Sequence, residues 1–272
     1  MIKTTDLHKS AMDMLLETSR TFFIPISHLS PGLQESVASA YLCMRAIDEI
    51  EDHPGLPSDV KINLLRSVSL LLEKPIDDNE LMALFQPHNS LLPEVTLRLG
   101  DWVKLSPPSI APNIQKATAI MANGMADWIS KKWRIKNEKD LDDYTFYVAG
   151  LVGILLSEIW KWHDDIETDR DLAVAFGRGL QAVNIIRNRA EDLSRGVDFF
   201  PDEWKAEDMF SYARRNLALA DAYLKSIKSG TILIFCRIPL ILAYGTLDAL
   251  AAGKEKLDRA TVTHLVRQVT EA

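Results

Sequence analysis

Apolar residues recur at helical spacing along almost the whole chain, and no alternating run of the kind typical of a strand interrupts them. Ser30-Pro31 resembles a helix start, with an N-cap serine followed by proline at the first helical position. No interior stretch has the composition of a linker. We therefore predict an all-α protein with one domain over residues 1–272. Helical periodicity covers 5–18, 31–51, 59–73, 94–105, 110–133, 138–163, 168–195, 206–228, 230–251 and 255–270.

Two polar stripes interrupt otherwise apolar helices. The first stripe consists of Tyr41, Arg45, Asp48 and Asp52, and the second stripe consists of Gln181, Asn184, Asn188 and Asp192. Offsets of three or four residues place the members of each stripe on one helix face. Two acids one turn apart repel each other unless a cation lies between them, and amide oxygens are hard ligands that do not repel. The stripes therefore suit magnesium ions held against a phosphate-bearing ligand.

Each of these features also has a purely structural interpretation. An acidic pair at i,i+4 is commonly a solvated helix face, and a structural ion-pair network is a further alternative. The amides of the second stripe could instead make interhelical hydrogen bonds. The apolar character of 37–47 weakens the first alternative, because buried carboxylates need partners. Gly150 and Gly153 either border a cavity or allow close helix packing.

Composition and charge exclude some classes of function. The chain has 272 residues, of which 47% are hydrophobic, so a large core is expected. The net charge of −7 argues against a nucleic-acid partner, which usually needs a basic face. Cys43 and Cys236 lie in apolar helical stretches, and we interpret both as reduced core thiols.

Nothing in the pattern marks a secreted or membrane-spanning protein. The N-terminal stretch MIKTTDLHKSAMDM lacks the apolar run of a signal peptide. The most apolar segment, 231–245, is too short to span a bilayer and carries Arg237 and Pro239. We expect a cytoplasmic protein, a monomer or homodimer, with peripheral membrane contact left open.

Four motifs in order resemble those of the squalene/phytoene synthase family, the head-to-head branch of the trans-prenyltransferases. They are SRTF at 19–22, YLCMRAIDEIED at 41–52, YTFYVAGLVG at 144–153 and GLQAVNIIRNRAEDLSRG at 179–196. The resemblance implies an isoprenoid-synthase helical bundle around a central cavity. It also implies a prenyl diphosphate substrate, most simply farnesyl diphosphate, and Mg²⁺, with Mn²⁺ as the alternative metal.

The resemblance assigns roles by position. The implied catalytic residues are Tyr144, Arg45, Asp48 and Asp52. The implied substrate-binding residues are Ser19, Tyr41, Arg45, Gln181 and Asn184. The implied metal ligands are Asp48, Asp52, Asn184, Asn188 and Asp192. Tyr144 would help to steer proton and carbocation chemistry.

Three departures from the family pattern bear on the reaction. Asn188 stands where the family usually has aspartate, and Val197 and Phe199 stand where arginine and tyrosine are usual. A charged ligand and a cation are thereby lost near the expected second metal site. The chain also resembles a farnesyl-diphosphate-hydrolysing branch of the family that occurs in bacilli. We therefore expect hydrolysis of farnesyl diphosphate to farnesol and diphosphate. The alternatives are head-to-head condensation to squalene, dehydrosqualene or a phytoene-type product, and a catalytically silent relative that binds prenyl diphosphates.

Overall fold

The computed structural model describes residues 4–228 and 230–271. Within those ranges the chain is helical and forms no strand, which confirms the predicted all-α class. The chain divides into two compact units, Met1–Lys132 and Trp133–Ala272. The expectation of one domain over 1–272 stays a prediction.

The first unit is built around one buried helix, α3, which packs against α1, α6, α7 and α8. Its apolar residues are almost completely buried, as at Leu42 and Ile47. The polar residues on the same helix therefore lie next to the apolar core. The helices of this unit are α1 (Thr4–Thr18), α2 (Arg20–Ser27), α3 (Leu33–Glu51), α4 (Ser58–Leu72), α5 (Asp78–Phe85), a 3₁₀ turn (Gln86–His88), α6 (Glu94–Leu97), α7 (Leu99–Leu105) and α8 (Ala111–Ser130).

The second unit is built around the long helix α11, which packs against α9, α10, α12 and α13. A π-helical turn separates α9 from α10 and also contacts α11. The elements of this unit are α9 (Glu138–Thr145), the π turn (Phe146–Gly150), α10 (Leu151–Asp164), α11 (Arg170–Ser194), α12 (Ala206–Leu224), α13 (Thr231–Ala251) and α14 (Arg259–Thr270).

The predicted start of the helix that carries the first stripe is wrong by two residues. Gly32 is the N-cap, with φ +83°, and its N–H donates to the Glu35 carboxylate over 2.5 Å. Glycine takes this left-handed conformation without the strain that a side chain would add. Ser30 and Pro31 therefore lie outside the helix, ahead of this glycine cap.

Close helix contact explains two glycines of the second unit. A Cβ atom on Gly153 would lie 2.1 Å from the carbonyl oxygen of Ala173, and one on Gly177 would lie 2.1 Å from that of Ala149. On Gly150 the closest atom would belong to the Val174 side chain, at 3.0 Å. The packing interpretation of Gly153 is therefore favoured over a position bordering a cavity.

Helix α13 is longer than the apolar segment within it, because it continues to Ala251. Among the described residues it is the one helix long and apolar enough to cross a membrane, and 44% of its most apolar window is buried. The core helix of a soluble protein passes the same test, so the cytoplasmic location stays a prediction. Cys43 and Cys236 are both free and buried, in agreement with the interpretation as core thiols.

Candidate active site

Ser19 and Tyr41 lie together in the first unit. Ser19 is the N-cap of α2, where its Oγ accepts the N–H of Phe22 over 3.2 Å. The hydroxyl of Tyr41, on α3, is within hydrogen-bonding reach of the Ser19 and Thr18 hydroxyls, and its ring centroid is 5.7 Å from that of Phe22. Burial raises the pKa of Tyr41 above its ordinary value. Tyr41 is therefore a neutral phenol and remains a hydrogen-bond donor.

Arg45 lies one helical turn further along α3 and pairs with two acids. Its Nη1 donates to Asp48 Oδ2 over 2.9 Å, and its Nη2 donates to Glu49. The Nε atom is buried and has no hydrogen-bond partner among the described residues. A buried donor of this kind is costly unless a ligand accepts from it. The guanidinium is therefore suited to bind an anion.

The surroundings of Asp48 disfavour its charged form. Burial, followed by the charge of Asp52, raises the pKa of Asp48 to about 7, although a third of its side chain remains exposed. Asp52 is the C-cap of α3, exposed to solvent, with its N–H donating to the Asp48 carbonyl over 2.9 Å. A bound divalent cation would relieve both causes of the shift by pairing with the charged form.

The end of α3 that carries these acids is fixed from outside the helix. Lys61 is buried and its Nζ donates to the Glu51 carbonyl over 2.6 Å. In the following loop, His53 bonds through Nε2 to the Leu91 carbonyl over 3.0 Å and through Nδ1 to the Gly55 N–H over 3.1 Å. The Lys61 bond satisfies one of the carbonyls that a helix C-terminus leaves open, and the His53 bonds fix the loop that follows.

The first stripe fits a magnesium ion that is shared with a substrate. No group of three or more His, Cys, Asp or Glu side chains placed to hold a metal occurs among the described residues. Magnesium is commonly bound by one or two carboxylates, with substrate phosphates and water completing the shell. Asp48 and Asp52 supply that number of carboxylates. The metal assignment for both residues stays a prediction.

The second stripe lies on α11 in the second unit, and arginines already occupy its oxygens. Arg187 Nη2 donates to Asn184 Oδ1 over 2.5 Å, and its Nε donates to Asn188 Oδ1 over 3.0 Å. Asp192 is buried and its Oδ1 accepts from Arg195 over 2.5 Å. The spacing places Gln181, which is half-buried, on the same face. A metal at these oxygens would have to displace guanidinium groups, as it would at the Asp48 carboxylate of the first stripe.

Tyr144 is buried at the end of α9 and stacks on Phe199, with ring centroids 4.8 Å apart and planes 17° from parallel. Phe199 belongs to the loop after α11, which Asp198 fixes by accepting from Arg189 over 2.9 Å and from the Phe200 N–H over 3.0 Å. The family pattern has a tyrosine at position 199, so this chain has a ring without a hydroxyl in contact with Tyr144.

Two contacts of the stripes are absent from the sequence interpretation, namely Glu49 with Arg45 and Arg187 with the amides. Spacing was the available signal for both, because Glu49 follows Arg45 by four residues and Arg187 follows Asn184 by three. The roles implied for Ser19, Gln181 and the other candidate residues stay predictions.

The chain is similar to proteins that synthesise squalene. Residues 15–209 match the family model described as squalene/phytoene synthase. The squalene synthase of Eremothecium gossypii is 32% identical over 93% of this chain and 64% of the relative. The squalene synthase of Rattus norvegicus is 29% identical over 89% of this chain and 63% of the relative. The chain therefore spans somewhat less than two thirds of the length of these relatives.

Solved structures agree with the fold. TcSQS in complex with the ligand E5700 gives a TM-score of 0.81 at 23% identity and covers 98% of this chain and 87% of its own. A dehydrosqualene synthase in complex with a ligand gives 0.68 at 18% identity and covers 99% and 97%. The solved structures show the all-α isoprenoid-synthase fold, and the family model covers well over half of the sequence. The chain belongs to the squalene/phytoene synthase family.

Proposed function

We propose that the protein joins two molecules of farnesyl diphosphate head to head and releases both diphosphates. The product is dehydrosqualene after loss of a proton, or squalene where NADPH supplies a hydride. The relatives named squalene synthase, which match about nine tenths of this chain, support condensation over the hydrolysis expected from the sequence departures. The observation that carries the proposal is the cluster of Ser19, Tyr41, Arg45 and Asp48 on one side of α3.

In this proposal the cluster binds the leaving diphosphate. Asp48 and Asp52 would hold the metal, which when bound neutralises charge on the leaving oxygens. Arg45, whose side chain is partly exposed, adds charge-assisted hydrogen bonds to the same anion. The hydroxyls of Ser19 and Tyr41 donate to the remaining oxygens. Together these groups would favour the departure of diphosphate from the prenyl carbon.

The resemblance to the family also gives a role to Tyr144. When diphosphate departs, the prenyl fragment becomes an allylic cation, which an aromatic face stabilises and which stray water destroys. Tyr144 is buried and its position is fixed by the Phe199 stack. Tyr144 is therefore suited to stabilise a developing cation and to exchange a proton with it.

Hydrolysis to farnesol and diphosphate remains the second candidate, and the second stripe favours it. Asn188 is neutral, and both it and Asn184 accept hydrogen bonds from Arg187. A weak second metal site would bind the second prenyl diphosphate poorly. The cation formed from the first substrate would then have no prenyl group to react with. Water would then add its oxygen to the prenyl carbon, lose a proton and release the alcohol.

One incubation distinguishes these candidates. Purified protein is mixed with labelled farnesyl diphosphate and Mg²⁺ or Mn²⁺, with and without NADPH, and the lipid products are identified. Squalene, dehydrosqualene or presqualene diphosphate would support condensation, whereas farnesol alone would support hydrolysis. Binding of the substrate without any product would support the silent relative.

A further inference from the structure

Glu49 is an acid beside the first stripe to which the family motif gives no role. Arg45 donates to both Asp48 at i+3 and Glu49 at i+4, one turn further along α3. The three side chains are each about one-quarter to one-third exposed, with fractions of 35% for Arg45, 33% for Asp48 and 27% for Glu49. The triad is thus partly shielded from water, where ion pairs are stronger than at a fully exposed surface.

The two partners of Arg45 differ in what else they must do. Under the proposed function Asp48 binds the metal, so its carboxylate cannot at the same time fully satisfy the guanidinium. A metal ion bound to the carboxylate offsets its negative charge, which weakens the ion pair of Asp48 with Arg45. Glu49 has no such second duty. Glu49 can go on accepting from Arg45 Nη2 when the Asp48 carboxylate binds the metal.

We propose that Glu49 is a positioning residue, which holds Arg45 in place to receive the diphosphate while Asp48 serves the metal. The proposal rests on the proposed function, because it takes Arg45 as a diphosphate ligand and Asp48 as a metal ligand. Glu49 accepts from Nη2, so Nη1 becomes available to the ligand when Asp48 binds the metal.

The sign of one measurement separates positioning from simple electrostatics. Removing an acid beside an anion site reduces repulsion, so electrostatics alone predicts that Glu49→Gln strengthens diphosphate binding. Positioning predicts the opposite, because Arg45 would turn toward Asp48 and lose the geometry that diphosphate needs. The expected weakening is about tenfold, the size of one charge-assisted hydrogen bond.

The experiment is calorimetric titration of the full chain with inorganic diphosphate at saturating Mg²⁺. The variants are Glu49→Gln, Arg45→Gln and the double variant, and melting temperatures are measured on the same samples. Glu94→Gln is the matched control, because Arg98 likewise pairs with two acids, Glu94 and Asp101. We expect Glu94→Gln to bind diphosphate as the wild type does.

We expect Glu49→Gln to raise the Kd about tenfold in the wild-type background and to have no effect when Arg45 is already glutamine. Unchanged or tighter binding by Glu49→Gln, with Arg45→Gln still weakened, would overturn the positioning role and leave the proposed function standing. Absence of diphosphate binding by the wild type would instead overturn the proposed function. Should Glu49→Gln fail to fold, Glu49→Asp, which shortens the anchor but keeps the charge, is expected to weaken binding in its place.

Discussion

At the scale of single residues, the chemistry of the first stripe depends on carboxylates that repel each other. We expect Asp48→Asn or Asp52→Asn to lower turnover by about 100-fold or more, because each change removes charge from the metal shell. Folding should survive, since burial and the charge of Asp52 both disfavour the charged form of Asp48, and either change reduces the repulsion between the two acids. Steady-state kinetics at saturating Mg²⁺ and a thermal melt measure the two effects. Near-normal turnover by either variant would contradict the metal assignment.

The raised pKa of Asp48 predicts a pH-dependent effect of magnesium on stability. In the folded protein the pKa rises from its ordinary 3.8 to about 7, so the folded state keeps a proton that the unfolded chain has released. Stability contributed by this group therefore falls as pH rises between those values and stays low above them. Magnesium competes with that proton, so it should raise the melting temperature more at pH 8 than at pH 6.

Thermal melts at pH 6, 7 and 8, with and without Mg²⁺, test this effect of pH. Asp48→Asn is the control, because it has no proton to lose at this position. We expect its response to magnesium to be small and nearly independent of pH. An equal magnesium shift at all three pH values in the wild type would count against Asp48 as a ligand.

Asn188 is the residue that separates the two candidate reactions. Asn188→Asp is nearly isosteric and adds charge to the second stripe, so we expect magnesium to be needed at lower concentration. The new carboxylate also pairs with Arg187, which already donates to this position. A change of product should require Val197→Arg and Phe199→Tyr as well. Magnesium titrations of activity and product identification test the two steps, and an unchanged magnesium requirement would contradict the first.

At the scale of elements, the two closely packed glycines of the second unit make a graded prediction. Gly153→Ala and Gly177→Ala should each destabilise the fold by about 2 kcal/mol, because the new methyl would meet a backbone carbonyl. Gly150→Ala should cost less, because the Val174 side chain can move aside. Denaturant unfolding measures the three values. Loss of activity that is selective for farnesyl over geranyl diphosphate would instead support a cavity at these positions.

Periodicity located most helices, but its errors have identifiable physical causes. The sequence interpretation missed α2, an eight-residue helix with Pro25 inside it, and the short helix α5. The predicted helix over 94–105 breaks at Arg98, which has φ −100° and ψ 20°. These features are local backbone events, and apolar spacing carries little information about them.

The candidate site divides in the same way. The helical spacing correctly placed the members of each stripe along one helix, because that depends only on 3.6 residues per turn. The contacts that those side chains make could not be predicted in the same way. The stack of Tyr144 on Phe199 joins positions 55 residues apart, since 199 − 144 = 55, and no local pattern encodes such a contact.

At the scale of the whole molecule, the open question is whether two compact units behave as one domain. We predict one cooperative unfolding transition, in which peptides of both units lose their protection from hydrogen exchange together. Exchange mass spectrometry in increasing denaturant measures this directly. Separate transitions for 4–132 and 133–271 would contradict the single domain.

The π-helical turn Phe146–Gly150 sets the angular phase of the chain on either side of it. A π turn takes about one residue more than an α turn, and each residue advances an α-helix by about 100°. Tyr144, which contacts Phe199, lies before this turn, and Gly153, which packs against Ala173, lies after it. A homologue without the π turn would have one residue fewer here. An alignment that places the gap outside 146–150 would pair residues that lie on different helix faces. The segments before and after the turn therefore have to be aligned separately.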